Sequence, residues 1–470
     1  MAGIRELAAR TPAHRVRYLD LLRAGAILAV VLGHWLIVAI APDPTGRLTG
    51  TSALAVVPWS HPITWLFQVM PVFFLVGGYV NTASLASFHR RGRTTTDWLL
   101  ARGTRLIAPT TGLLLALATG AMAARVATVD PDQLGRAIWL ATIPLWFLVV
   151  YLAVVGLTPL ARAWYRRAGW AAPGVLAAAV AIGDGLRLTD RPELAYGSYL
   201  FAWLAIYLVG MAWEAGRLPQ RAGPAAAVAA TGLVGLLLLT VVGPYPVSMV
   251  TVPGAGWQNT APPSLALLVL TTTQLGLVLL LRPLAERWLT RRRLWQAVVA
   301  VNTVVLTVFL WHMVAAVIGA GLLAALGWLP TTPVGSGAWL ALRLPWLATL
   351  SVVLLAVVAV VGRIETADPV RTSPRPTARW GAAARPAALT GYAAAVGGLL
   401  GIAVSGPADH GPVGLPAGAL ALYLCGALLL LLFGWLRPPL VPGRDQQHHR
   451  PHRGPGPGQH PPGRRPPRGR

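Results

Sequence analysis

The chain has 470 residues, of which 55% are hydrophobic and only 11% are charged, and its formal net charge is +24. Because a soluble domain carries about 25% charged residues, this composition excludes an ordinary water-soluble protein. The basic residues, all of them Arg, lie mainly in the termini and in short connectors between apolar segments. That placement indicates membrane topology and argues against a nucleic-acid partner.

Apolar segments recur along the whole chain, and most of them approach the roughly 20 residues that a membrane-spanning helix needs. We therefore predict an all-α polytopic membrane protein with about 12 transmembrane helices, whose solvent is the lipid bilayer. The predicted spans are 19–41, 62–82, 105–125, 137–157, 171–186, 197–214, 224–243, 264–282, 297–326, 339–362, 387–405 and 415–436.

Arginine placement predicts the orientation, because basic loops stay in the cytoplasm. With both the N- and C-termini cytoplasmic, only a small minority of the 39 basic residues fall on the outer side. The predicted location is the cell membrane, which the chain crosses many times. The predicted outer arginines are Arg47, Arg125, Arg136, Arg187, Arg191 and Arg343.

The predicted topology divides the chain into five parts. A basic N-terminus (1–18) precedes a membrane core (19–362), and a cytoplasmic linker (363–386) leads to two extra transmembrane helices (387–436). The tail (437–470) is rich in Pro, Gly, Arg and His and contains no apolar run, which predicts disorder. Its histidines have irregular spacing, and no other segment has metal-ligand spacing, so we predict no metal site.

The first span contains the most informative pair of residues, Arg23 and His34. Eleven residues rotate a helix by about 1100°, roughly 20° beyond three full turns, so both side chains lie on one face about 16 Å apart. Ionisable groups at membrane depth are costly and usually functional. A neutral imidazole at this depth is suited to accept a proton from a hydroxyl group and return it later.

Structural roles compete with the functional ones at both positions. His34 could instead pack against another helix through a hydrogen bond. Arg23 could extend to the cytoplasmic interface or pair with Asp20, which lies three residues earlier. Arg102 and Arg105 begin the third span and share a face, and guanidinium groups suit phosphate oxygens. A phosphorylated cytoplasmic ligand and a simple positive-inside cluster both explain these arginines.

Four further polar residues are candidates for an additional site. His312 lies about 15 residues into the ninth span, at a depth close to that of His34. Gln68 and Asn81 flank the tandem glycines of the second span and are candidates to line the same interior. Asn259 belongs to the long outer loop 243–264, which is either an acceptor-binding segment or a proline-stiffened connector.

Four segments together resemble the acyltransferase family 3 proteins, which are integral-membrane O-acyltransferases. They are RYLDLLRAGAILAVVLGHW, MPVFFLVGGYV, RGTRLIAP and FLWHM, and the likeness extends in order from about residue 17 to 362. The specific elements are the Arg-x10-His pattern (Arg23 and His34) and the Arg-x2-Arg pattern (Arg102 and Arg105).

The resemblance implies transfer of an acyl group, commonly acetyl, from cytoplasmic acyl-CoA to a hydroxyl of a sugar or other acceptor. It implies that His34 is the catalytic histidine with Arg23 as its partner, and that Arg102 and Arg105 contact the donor. Acyl-CoA would be a substrate, with no tightly bound cofactor. The chain departs from the family in having Gly77 where many relatives have Ser, and in having twelve spans where the family core has ten.

Two other functions remain open. A transporter or exporter of a polar or lipid-linked metabolite fits twelve spans, with His34 and His312 as a proton relay. No internal repeat supports it, although many transporters have one. A membrane scaffold without catalytic activity is the third possibility.

Overall fold

The computed structural model describes residues 2–435, except 13–14, 45, 188, 190–191, 367–383 and 409–410. The predicted tail and most of the predicted linker lie outside the described residues. The helices are α1 (Ala2–Ala9), α2 (Arg17–Ile37), α3 (Thr64–Phe67), α4 (Met70–Arg90), α5 (Thr95–Val126), α6 (Pro131–Thr142), α7 (Leu145–Ala168), α8 (Ala171–Leu186), α9 (Ser198–Glu214), α10 (Ala222–Leu237), α11 (Leu265–Trp288), α12 (Arg292–Ala325), α13 (Gly337–Ala341), α14 (Arg343–Thr366), α15 (Ala384–Val404) and α16 (Ala417–Trp435).

Ten helical segments of the described residues are long and apolar enough to cross a membrane. Two shorter apolar helices, Ala171–Leu186 and Ala417–Leu432, lie where the fifth and twelfth spans were predicted. The protein is therefore an all-α polytopic membrane protein, and this part of the sequence prediction is confirmed.

Two predicted spans are interrupted rather than continuous. The second apolar segment contains a short helix, α3, and then leaves helical geometry at Gln68 before α4 begins. The fourth divides between α6 and α7 at Ile143 and Pro144. Proline lacks a backbone N–H and restricts the residue before it, which accounts for the second break.

The first span also ends earlier than predicted, at Ile37 rather than residue 41. The chain continues into strand β1 (Val38–Pro42), which pairs antiparallel with β2 (Leu48–Ser52), with Val38 opposite Ser52. This hairpin is the only sheet among the described residues. It caps the end of α2 on the predicted outer side, one helical turn beyond His34.

Helices α4 and α9 pack closely through glycine. A Cβ added at Gly78 would collide with the carbonyl oxygen of Tyr207 and approach the Cα of Gly210 to 3.0 Å. Small residues permit this kind of backbone approach between membrane helices. The close packing fixes Asn81, one turn further along α4, against the neighbouring helices.

The last two helices pack against the core rather than standing apart from it. The Tyr392 hydroxyl on α15 donates to the Leu152 carbonyl at 2.6 Å, and the Tyr423 hydroxyl on α16 donates to the Ile107 carbonyl at 2.9 Å. A Cβ at Gly103 would meet the ring of Tyr392 at 2.7 Å. These helices therefore brace α5 next to Arg102.

Candidate functional site

The two intramembrane histidines are direct neighbours. Nδ1 of His34 lies 2.8 Å from Nε2 of His312, and the rings are nearly parallel, with 6° between their planes and 5.1 Å between their centroids. His312 is fully buried, whereas His34 is only partly buried. One side chain comes from α2 and the other from α12, so the pair forms only when these helices pack together.

The second hydrogen bond of His312 determines which nitrogens carry protons. Nδ1 of His312 lies 2.6 Å from the carbonyl oxygen of Phe309, which can only accept a hydrogen bond. In the neutral pair, Nδ1 of His312 is therefore protonated, and its Nε2 accepts from Nδ1–H of His34. This leaves Nε2 of His34 unprotonated, with no hydrogen-bond partner among the described residues.

Two tryptophans hydrogen-bond to the backbone next to the histidine pair. The Trp35 indole donates to the carbonyl of His312 at 2.9 Å, and the Trp346 indole on α14 donates to the carbonyl of Trp35 at 3.0 Å. Both indoles are buried, where an unmade hydrogen bond is costly. These bonds fix the backbones on either side of the imidazole rings.

Arg23, like His34, contacts a residue of helix α12. Its Nε donates to Oδ1 of Asn302 at 2.7 Å, and Nδ2 of Asn302 donates to the carbonyl of Asp20 at 2.9 Å. Because Arg23 contacts Asn302 and His34 contacts His312, both side chains lie on the face of α2 that packs against α12. Helices α2 and α12 run parallel. Arg23 and His34 are eleven residues apart on α2, and their partners on α12 are ten residues apart.

Asp20 pairs mainly with an arginine that sequence reasoning did not single out. Its carboxylate accepts from Nε and Nη2 of Arg15 at 2.7 and 2.9 Å, whereas Nη2 of Arg23 is 3.5 Å away. The hydrogen bond to Asp20 raises the pKa of Arg15 from its usual value. Arg23 therefore depends on Asn302 more than on Asp20, and its side chain remains one-third exposed.

The arginines of α5 lie in the same electrostatic environment. Arg105 interacts with the charges of Arg102 and Arg15, and also with that of Arg23. Arg102 is partly buried, Arg105 is exposed, and neither has a hydrogen-bond or ion-pair partner in the described part of the chain. The structure thus links Arg102, through Arg105, to the charges of Arg15 and Arg23 at the predicted cytoplasmic end, and the Asp20 carboxylate bonds to Arg15 and Arg23.

A layer of aromatic side chains lies between the arginines and the histidine pair. Phe147 stacks on Tyr151 with centroids 5.6 Å apart and meets Phe309 edge-on at 5.3 Å, and Phe309 in turn adjoins His312. The Tyr151 hydroxyl accepts a hydrogen bond from Asn81 at 3.3 Å. Asn81, which is only 1% exposed, therefore faces this layer.

Gly77 makes room for this tyrosine. A Cβ at Gly77 would lie 3.1 Å from the Tyr151 ring and 3.5 Å from its hydroxyl. The space that a serine side chain would enter at this position is therefore bordered by the phenolic oxygen of another helix. Tyr151 supplies a hydroxyl where residue 77 has none.

Gln68, a candidate to line the interior, and Asn259, a candidate in the outer loop, both have hydrogen-bond partners in the loop. The Gln68 amide donates to the Met249 carbonyl at 2.7 Å and so joins the α3–α4 break to the long outer loop. The Asn259 amide donates to the carbonyls of Pro246 and Ser248 at 2.7 and 3.0 Å. Both side chains stabilise the loop, and neither contacts the histidine pair.

The outer loop is anchored by a buried carboxylate on α8. Asp184 accepts from the Tyr245 hydroxyl at 2.9 Å and from the backbone N–H of Leu265 at 2.7 Å. Burial and the neighbouring Asp184 charge raise the pKa of Tyr245, which therefore remains a neutral donor. These contacts, with those of Gln68 and Asn259, pin the loop at both ends.

Asn302, like Arg15, is a residue near the site that the sequence analysis missed. A polar residue within an otherwise apolar stretch of α12, ten positions before His312, is a detectable signal. Among the described residues, no group of three or more His, Cys, Asp or Glu side chains is arranged to hold a metal ion.

A family model described as an acyltransferase domain (Acyl_transf_3) matches residues 16–362. This range contains the histidine pair, Arg23, Asn302 and the arginines of α5. No curated protein matches the chain, and no solved structure does.

Proposed function

The chain belongs to the acyltransferase 3 family, and from this premise we propose that it is a membrane O-acyltransferase with His34 as general base. The proposed donor is cytoplasmic acyl-CoA, most simply acetyl-CoA, and the proposed acceptor is a hydroxyl group of a carbohydrate. The observation that carries the proposal is the His34–His312 pair, which leaves Nε2 of His34 unprotonated and without a hydrogen-bond partner in the described part of the chain.

The hydrogen bonds of the histidine pair support a separate role for His34 and for His312. The acceptor oxygen attacks the thioester carbonyl carbon while its proton moves to Nε2 of His34. The carbon–sulfur bond then breaks, and the imidazolium returns the proton to the leaving thiolate of CoA. His312 accepts from Nδ1–H throughout, so it orients the ring and stabilises the imidazolium.

The arginines support an assignment for the donor. CoA carries several phosphate charges at one end and its thioester at the end of a flexible arm. Guanidinium groups bind phosphate through paired N–H donors. With the phosphates on Arg102 and Arg105 and near Arg23, the arm would cross the aromatic layer toward His34, roughly 16 Å further along α2.

The reaction is tested with purified protein in proteoliposomes, supplied with acetyl-CoA and a carbohydrate extract of the cell envelope. We expect release of free CoA together with labelled acetyl groups on the carbohydrate. Movement of labelled carbohydrate across the bilayer without CoA release would contradict the proposal and favour a transporter. Neither signal above that of empty liposomes would favour a scaffold.

Substituting both Arg102 and Arg105 by Gln is expected to raise KM for acetyl-CoA about tenfold or more, because charged hydrogen bonds to phosphate are lost. The measurement compares acetyl-CoA with acetyl-pantetheine, which has the thioester but none of the phosphates. The double variant should lose most of the preference for acetyl-CoA and leave acetyl-pantetheine turnover unchanged.

Arg166→Gln is the matched control, because Arg166 is an exposed arginine at the predicted cytoplasmic end of α7. It removes one positive charge from the same side of the membrane without touching α5. Equal losses in the control and the double variant would mean that general surface charge attracts the donor, which would refute the assignment.

A further inference from the structure

Arg343, on the predicted outer side, has an unusual environment for a charged residue. Its guanidinium carbon lies 4.1 Å from the ring centroid of Trp339 and 5.3 Å from that of Trp346, and the side chain is partly buried. No carboxylate pairs with it in the described part of the chain. By contrast, Arg47 is paired with Asp130 and Arg187 with Asp184.

The guanidinium group of Arg343 donates a hydrogen bond to the described residues from only one of its edges. Its Nη1 donates to the carbonyl of Val38 at 3.2 Å, whereas Nε is buried and has no hydrogen-bond partner among the described residues. The Nε and Nη2 donors form the edge that binds carboxylate and phosphate with two parallel hydrogen bonds. Cation–π contact with the indoles holds the guanidinium plane but satisfies none of these donors.

Arg343 is anchored at the end of α2, one helical turn beyond His34. The backbone N–H of Val38 donates to the carbonyl of His34, so the carbonyl that Arg343 binds is one helical turn further outward. One turn is about 5.4 Å along the axis. Ser52 lies opposite Val38 in the hairpin, and its buried Oγ also has no partner among the described residues. Nε of Arg343 and Oγ of Ser52, both without a partner among the described residues, thus belong to side chains around Val38, one turn beyond His34.

We propose that Arg343 binds an oxyanion of the acyl acceptor, a carboxylate or a phosphate, while a hydroxyl of the same molecule reaches Nε2 of His34. The acceptor is then an acidic carbohydrate whose charged group lies within one or two sugar rings of the acylated hydroxyl. The Ser52 hydroxyl contributes one further hydrogen bond, and the Trp339 face orients the guanidinium. This inference rests on the proposed function and adds the chemical class of the acceptor.

The test measures binding rather than turnover, so it can fail independently of the proposed reaction. The full-length protein carries Arg102→Gln and Arg105→Gln, which should weaken phosphate binding on the opposite side of the membrane. It is titrated with D-glucuronate, glucose 1-phosphate and D-glucose. We expect at least one anionic probe to bind about 10- to 100-fold more tightly than D-glucose, the range that charged hydrogen bonds provide. The better probe identifies the carboxylate or the phosphate as the source.

Arg343→Gln should remove this preference, and Arg343→Lys should retain part of it, since an ammonium group keeps the charge but not the two-donor edge. Arg343→Lys also keeps the test valid if Arg343→Gln does not fold. Arg125→Gln, which removes an exposed outer arginine, should have no effect. No preference for either anion, or a preference that survives both substitutions, would overturn the proposal. Arg343-dependent binding without acetyl transfer in proteoliposomes would instead count against the proposed reaction.

Discussion

Replacing His34 by Asn is expected to lower kcat about 10²- to 10⁴-fold, the usual contribution of a positioned general base. The Asn amide nitrogen lies near the position of imidazole Nδ1, so it can still donate to Nε2 of His312. The variant therefore keeps a hydrogen bond to Nε2 of His312 in place of the observed 2.8 Å bond. It removes only the nitrogen that would accept the substrate proton. The measurement is acetyl-CoA-dependent CoA release at saturating donor and acceptor.

The KM for acetyl-CoA should stay near that of the unmodified protein, because the arginines proposed to bind the donor are unchanged. His89→Ala is a suitable control, since His89 lies at the end of α4 and its ring contacts the Thr95 hydroxyl in an exposed position. Turnover by His34→Asn within about threefold of the unmodified protein would eliminate His34 as the base. An equal loss in His89→Ala would point to a general effect of histidine removal.

The common face of Arg23 and His34 could be predicted because it depends on one helix only. Helical geometry fixes the rotation between residues eleven apart, whatever the helix packs against. The structure places both side chains toward α12, as that rotation requires. The all-α membrane architecture was predictable for a similar reason, since the length and composition of each apolar segment are local properties.

The partners of these residues could not be predicted from local geometry. The contact of Arg23 with Asn302 and that of His34 with His312 join positions more than 270 residues apart in the chain. Which residues meet depends on how two helices align, and that alignment follows from packing along their whole length. Similar depth predicted only that the two histidines lie at one level of the membrane.

Interruptions of the spans show another limit of the sequence patterns. Hydropathy averages over a window, so the predicted span 137–157 runs through the break between α6 and α7 at Ile143 and Pro144. The same averaging extended the first span into β1, because β-branched and small apolar residues suit a strand as well as a membrane helix. The hydrogen bonds of Gln258 to the backbone of Val252 and Ala255 within the outer loop were likewise beyond these patterns.

The hydrogen-bond chain makes a second strong prediction, which concerns His312. The amide of His312→Gln can occupy the position of imidazole Nε2 and accept from His34 through its oxygen. The amide of His312→Asn reaches only the Nδ1 position, where it can satisfy the Phe309 carbonyl but not His34. We therefore expect His312→Asn to lower kcat about 10²-fold, since misplacing a reacting group by about 1 Å costs that much.

His312→Gln should recover a large part of that loss, because it restores an acceptor for Nδ1–H of His34. A merely structural role for His312 would not distinguish the two amides in this way. The measurements are kcat and KM for acetyl-CoA, with thermal unfolding in detergent to compare the stability of both variants. The KM for acetyl-CoA should change little in either variant, because the arginines proposed to bind the donor lie on α5 and at the start of α2, away from His312. Equal activities of the two variants would show that His312 fills space without orienting His34, and the base would then need another source of its tautomer.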